Sequence, residues 1–302
     1  MNPPGNGAVP AVLGGISGTA ARRGRTGKPA LIAVAHGSRD PRSATTMHAV
    51  VEQIAAARPD LDVRLAFLDL SAPSVDQVVD AVAAAGHSQA VVVPLLLGSA
   101  FHARVDLPEL LDAARSRHPR LRLTQADVLG SDVRLIVALR DRVLAEIGPN
   151  VIEPGIPAPA MDSISTFALA SSDSAFHRFL PGAPDRARLG VAVAAVGSSS
   201  AAANHRTASV AWMLSELTGW DTEVCFATTA PTVTEAAARL RARGCDEILV
   251  APWFLAPGLL TDRLRDALPG VPHTETLCAH PLVAEVALDR YTAATLPLVL
   301  SA

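Results

Sequence analysis

The sequence predicts an α/β protein built from two tandem copies of one domain, each a parallel four-stranded sheet flanked by helices. Two observations predict it. Uninterrupted apolar runs such as LIAVA (31–35) and QAVVVPLLL (89–97) alternate with amphipathic stretches of helical period, and strands apolar on both faces belong in parallel sheets covered on both sides. In addition, FLDLSAPSVDQVVDAVAAAGHSQAVVVPLLL (67–97) aligns without a gap against CFATTAPTVTEAAARLRARGCDEILVAPWFL (225–255), placing Pro73 opposite Pro231, Gly86 opposite Gly244 and Pro94 opposite Pro252. A repeat this long signals duplication of a domain of about 120 residues.

Taken in order, residues 1–28 are rich in Gly, Ala, Pro and Arg and read as a disordered tail. LIAVA opens the first copy, followed by a helix over about 43–58, a strand over 62–69, and a helix from Ser74 to Ala85 closed by Gly86. The strand 89–97, a helix from about Asp106, a short strand near 120–126 and a helix from Asp132 to Ile147 complete it. Residues 149–187 contain PNVIEPGIPAPAMDS and PGAPD, Pro-rich segments that read as a linker. The second copy follows: AVAAVGS (192–198) matches AVAHGS (33–38), and LCAHPLVAEVALDR (277–290) matches LGSDVRLIVALRDR (129–142). The expected units are therefore 29–148 and 188–302. Asp132 is a natural N-cap residue, and His280, its repeat partner, is expected to cap the last helix.

Composition narrows the function. At 302 residues, 49% hydrophobic and 18% charged, the chain is long enough for two domains with cores of their own. A formal net charge of -3 without a basic stripe argues against nucleic acid. Cys225, Cys245 and Cys278 lie far apart, which excludes a disulfide framework or zinc knuckle and suits small buried thiols in a reducing compartment. With neither a signal-peptide core nor an apolar run of about 18 residues, the expectation is a cytoplasmic protein that does not enter a membrane.

The two copies differ at three polar positions. His36 follows the first strand, Asp69 ends the second, and His102 lies just past the third; opposite them stand Val196, Ala227 and Leu260. With right-handed crossovers and a flavodoxin-like strand order of 2-1-3-4, the first and third strands are neighbours where the sheet reverses direction, the usual ligand site of such sheets. Neutral imidazoles ligate Fe, Co, Ni and Zn, so His36 and His102 are candidate metal ligands. Asp69 has two readings, since an acidic residue at a strand end also accepts backbone donors. His48, His87, His118, His177, His205, His273 and His280 are assigned no role in the chemistry.

HGSRDP (36–41), FLDLSAPS (67–74) and VPLLLGSAFHARVDLP (93–108) together resemble the signature segments of the class II chelatases, which insert a divalent metal into sirohydrochlorin on the route to sirohaem or cobalamin. The resemblance extends over both halves and is similar to two-domain members in which one half keeps its histidines. It implies two chelatase-like domains and a lyase activity, with the metal, Fe2+ or Co2+, as a substrate and no organic cofactor. It also implies His36 and His102 as metal ligands, His36 as proton acceptor, and Leu97, Gly98, Ser99, Ala100 and Phe101 lining the tetrapyrrole site. Neighbouring enzymes of tetrapyrrole synthesis are the macromolecular partners it suggests. Ala72 stands where the family often has an acidic residue, a contact that Asp69 would have to supply. Because the substrate is a polycarboxylate, cations are expected at its rim; Arg39, Arg42 and Arg104 lie beside the histidines, and Arg39 is the residue assigned to substrate. The reading from a different class is a two-lobed carrier that holds metal or tetrapyrrole without turnover.

Overall fold

A computed structural model describes residues 27–98, 106–148, 188–277 and 279–299. The linker over 149–187 lies outside the described residues, as do all but the last two residues of the expected tail. The first half runs β1 (Ala30–Ala35), α1 (Pro41–Ala57), β2 (Val63–Phe67), α2 (Val75–Ala84), β3 (Gln89–Pro94), α3 (Leu107–Arg117), β4 (Arg122–Gln125) and α4 (Val133–Ile147). Its sheet is parallel in the order β2-β1-β3-β4, as expected. All six residues of β1 are buried, because the strand lies between two others with helices on both faces.

The second half repeats the pattern with β5 (Leu189–Ala195), α5 (Ala201–Thr218), β6 (Asp221–Phe226), α6 (Val233–Ala242), β7 (Glu247–Pro252), α7 (Leu259–Ala267) and α8 (Pro281–Val299). Local signals recur at matching places: Ser74 with Gln77 and Thr232 with Glu235 form capping boxes opening α2 and α6. Asp132 caps α4 by accepting from Arg134 N, and His280 Nδ1 takes the equivalent bond from Leu282 N at 3.3 Å. One expectation is corrected. The second sheet has three strands, β6-β5-β7, where four were expected. The fourth position is reduced to a bridge between Val250 and His273, bounded by Val250 N to Pro272 O at 3.0 Å and Thr274 N to Val250 O at 2.9 Å. Pro272 carries no N–H to extend a ladder.

The halves do not keep separate cores. One face of the first sheet (Ile32, Val34, Val92) packs on α2 and α3, and one face of the second (Ala192, Ala194, Val250) on α6 and α7. The opposite faces meet in a single cluster that joins Leu31, Ala33 and Val93 with Val191, Val193 and Ala251. The last helix of each half has crossed over within it. The helix α8 packs on α1 and β3 of the first half, and α4 packs on α5 and β7 of the second. Tyr291 Oη on α8 donates to Pro29 O at 2.7 Å, and burial pushes its hydroxyl pKa up to about 12. The two expected units are therefore each completed by a helix from the other.

Candidate active site

The site is built on the turn that leaves β1. Gly37 holds φ +94°, and a Cβ there would sit 1.7 Å from Asp69 O, so only glycine allows the β1 and β2 loops to touch. The loops are laced together: Asp69 N donates to His36 O at 3.0 Å, Ser38 N to Ser71 Oγ at 3.1 Å, and Ser71 Oγ back to Ser38 O at 3.0 Å. Asp40 N donates to Ser38 Oγ at 3.1 Å, and Asp40 caps α1 through Arg42 N at 2.9 Å. Backbone bonding thus holds His36 at the sheet's switch point.

His36 is exposed and faces a cleft of about 410 Å³ lined also by Leu68, Asp69, Asp106, Glu109, Leu110 and Ala113. Its Nδ1 is 3.3 Å from Gly37 O; a proton on Nδ1 would donate there, the tautomer that keeps a lone pair on Nε2. Asp69 is also exposed. It lines the cleft, and its Oδ1 accepts Leu70 N at 2.7 Å. Asp106 and Glu109 were not singled out as site residues. Their signal was available: Asp106 ends the third signature segment as the N-cap of α3 and Glu109 follows it in the first turn of that helix, where the helix meets the switch point. Asp69, Asp106 and Glu109 thus give the cleft beside His36 a negative lining.

Leu97 is half-buried against the central cluster and Gly98 is exposed beyond β3. Ser99, Ala100, Phe101, His102 and Arg104 lie outside the described residues. Among the described residues no three His, Cys, Asp or Glu side chains are grouped to hold a metal. Arg39 is exposed and hydrogen-bonds to none of the described residues. Arg42, which lies beside His36 in sequence, pairs with Asp40 and Asp262. Cys225 and Cys245 are buried, and desolvation raises the Cys225 thiol to about 12; Cys278 lies outside the described residues. His87 and His118 pair with Asp62 and Asp80.

The structure also corrects the repeat alignment. β1 pairs Ala35 with Phe67 and β5 pairs Ala195 with Phe226, so Phe67, not Leu68, corresponds to Phe226. The first half then holds one more residue before Pro73 than the second holds before Pro231. Asp69 matches Thr228, whose N donates to Val196 O at 3.1 Å as Asp69 N does to His36 O. Ala227 is not its counterpart. Leu70, at φ +59°, accommodates the additional residue. Leu260, set against His102 in the sequence, lies inside α7, while His102 is outside the described residues. From Pro94 to Gln125 the first half runs 31 positions, whereas from Pro252 to His273 the second runs 21. A gapless alignment hid both changes because apolar residues on either side match in several registers.

A parallel α/β pair with a histidine and carboxylates at one switch point is the class of protein that the fold and the site define. The chain belongs to the CbiX family, whose sequence profile matches residues 30–146 and 190–294. It is 27% identical over 239 residues to a sirohydrochlorin cobaltochelatase of Priestia megaterium, covering 77% of this chain and 66% of that protein. It is 32% identical over 117 residues to a sirohydrochlorin ferrochelatase of the same organism, covering 38% of this chain and 43% of the relative. The matched region thus spans between about two fifths and two thirds of these relatives' lengths. In fold it resembles SirB from Bacillus subtilis with Fe3+, at TM-score 0.66 and 23% identity over 90% of this chain and 97% of that one. Among the described residues no helix is long and apolar enough to cross a membrane.

Proposed function

We propose that this protein is a sirohydrochlorin chelatase, a lyase that inserts Fe2+ or Co2+ into the tetrapyrrole at the cleft beside His36. The observation that carries the reading is the placement of His36 at the switch point of the first half, over carboxylates, in a chain whose relatives are named for this reaction with either metal. Insertion requires the metal to be held loosely, two pyrrole protons to be removed, and the ion to pass to the freed nitrogens. His36 and His102 are assigned as its ligands. Two imidazoles leave coordination positions open for transfer, where four protein ligands would retain the ion. Having released the metal, His36 accepts a pyrrole proton.

Asp69, with Asp106 and Glu109, draws the dication into the cleft. Leu97, Gly98, Ser99, Ala100 and Phe101 are assigned to the face of the macrocycle. Arg39 is assigned to a peripheral carboxylate. Arg39→Ala is expected to raise the Michaelis constant for sirohydrochlorin roughly ten- to hundredfold, since a charge-assisted hydrogen bond contributes about 1.5–3 kcal/mol, and to leave metal affinity unchanged. The cytoplasm is the proposed location, with neighbouring enzymes of tetrapyrrole synthesis as partners.

Absorbance tests the activity. Purified protein incubated with excess sirohydrochlorin and Fe2+ or Co2+ is expected to convert many equivalents of tetrapyrrole, and the faster metal identifies the route served. A spectral shift that stops at one equivalent per protein would identify a carrier instead.

A further inference from the structure

Contacts between the two halves are of two kinds. One kind is paired. Arg290 on α8 donates through Nη2 to Leu129 O at 3.0 Å, and Arg142 on α4 donates through Nη2 to Leu277 O at 3.3 Å; Arg142 and Leu129 are the repeat counterparts of Arg290 and Leu277. With the shared core, these contacts hold the halves together from both sides.

The other kind has no counterpart. The Arg42 guanidinium is bidentate on Asp40, with Nε 3.0 Å from Oδ1 and 3.1 Å from Oδ2, and reaches across to Asp262 on α7 with Nη1 3.2 Å from Oδ1. These partners hold both carboxyl groups below the usual range. The first turn of α7 lies close: a Cβ on its N-cap Gly258 would stand 3.9 Å from Asp40 Oδ2. At the equivalent turn of the second half, Ser200 and Ala202 replace Asp40 and Arg42, and neither can form such a link.

We infer that Arg42 is a positioning residue that fastens the His36 loop to the second half through Asp262. Its consequence for catalysis rests on the chelatase reading above. The Arg42 side chain is 48% exposed, and a pair so wet adds little to global stability. Its effect is geometric. From Asp262 the bonded path runs through Arg42 to Asp40, from Asp40 N to Ser38 Oγ, and from Ser38 to Ser71, locking the turn that carries His36. The second half, with Val196 in the place of His36, thereby contributes one side chain to the order of the His36 loop.

Arg42→Ala and Asp262→Asn test this in the full chain. Each is expected to lower kcat about tenfold, to leave the Michaelis constant for sirohydrochlorin within about twofold, and to move Tm by no more than about 2 °C. The double variant is expected to be no worse than the worse single, because both remove one link, and Asp262→Glu to recover part of the loss. Hydrogen exchange of amides 36–40 and 42 is expected to quicken in both singles while amides 196–202 stay unchanged. A rise in the tetrapyrrole constant alone, additive losses, or unchanged exchange would each overturn the inference. Should the wild-type protein insert no metal, the chelatase reading fails on its own, and the exchange measurement still decides the clasp.

Discussion

The turn after β1 and the turn after β5 share a backbone and differ in chemistry. Gly37 and Gly197 hold φ +94° and +91°, and His36 O and Val196 O each accept an amide from the following strand's loop. Ser38 Oγ and Ser198 Oγ each accept from the amide two residues on, at 3.1 Å. Where Ser71 ties Ser38 across to the β2 loop, Asn204 ties Ser198 locally, accepting from its N and donating to its O at 2.8 Å each. Val196, in the place of His36, remains 45% exposed, an apolar side chain where burial would favour it more. The comparison teaches that the turn is required by the fold, since both halves keep it, while the imidazole is required by something else.

The sharpest way to break that comparison is to remove each side chain in turn. His36→Ala is expected to reduce metal insertion on the order of 10²- to 10⁴-fold and to leave circular dichroism unchanged, whereas Val196→Ala changes neither; initial rates by absorbance decide. If Val196→Ala matched His36→Ala, the chemistry would not be confined to the first half. Next comes the separability of the halves. Residues 27–148 alone lose α8 from over α1 and β3, and residues 188–302 alone lose α4 from over α5 and β7, exposing apolar faces. Neither fragment is expected to melt cooperatively, and mixing the two is expected to restore a single transition in calorimetry.

A smaller difference is expected at the glycines. Gly37→Ala would drive a Cβ into a backbone carbonyl at 1.7 Å, while at Gly197 the nearest atoms are side-chain atoms at 2.9 Å. The first substitution should cost about 2–4 kcal/mol and the second about 1–2 kcal/mol, including the strain of a positive φ, measured by urea unfolding. The smallest effect concerns equivalent positions beside the third strands, Gln125 and His273. Burial lowers the His273 pKa from 6.5 to about 4, and its Nε2 is buried without a hydrogen-bond partner among the described residues. Between those values the unfolded chain takes up a proton that the folded chain does not, so stability falls as pH drops from about 6.5 to about 4. His273→Gln, which copies the first half, is expected to flatten that part of the pH profile; urea midpoints at pH 7, 5.5 and 4 check it.

Much of this was legible in the chain. Uninterrupted apolar runs determine parallel strands because no face of them tolerates water, and the flavodoxin-like order 2-1-3-4 with right-handed crossovers then puts His36 at its reversal. Capping follows from chemistry at one position, which is why Asp132 at the head of α4 could be read locally and His280 at the head of α8 through its place in the repeat. Loop lengths were not legible: the added residue at Leu70 and the ten positions that the second half lacks after Pro252 sit beside apolar residues that align equally well when shifted. The tertiary structure alone decided where α4 and α8 pack, what Arg42 binds, and that the two halves share a core. An amphipathic helix specifies that one face is apolar but not which sheet will cover it, and a guanidinium specifies a carboxylate but not one 220 positions away. Those choices depend on which surfaces the folded chain brings within a few ångströms, a distance that sequence separation does not encode.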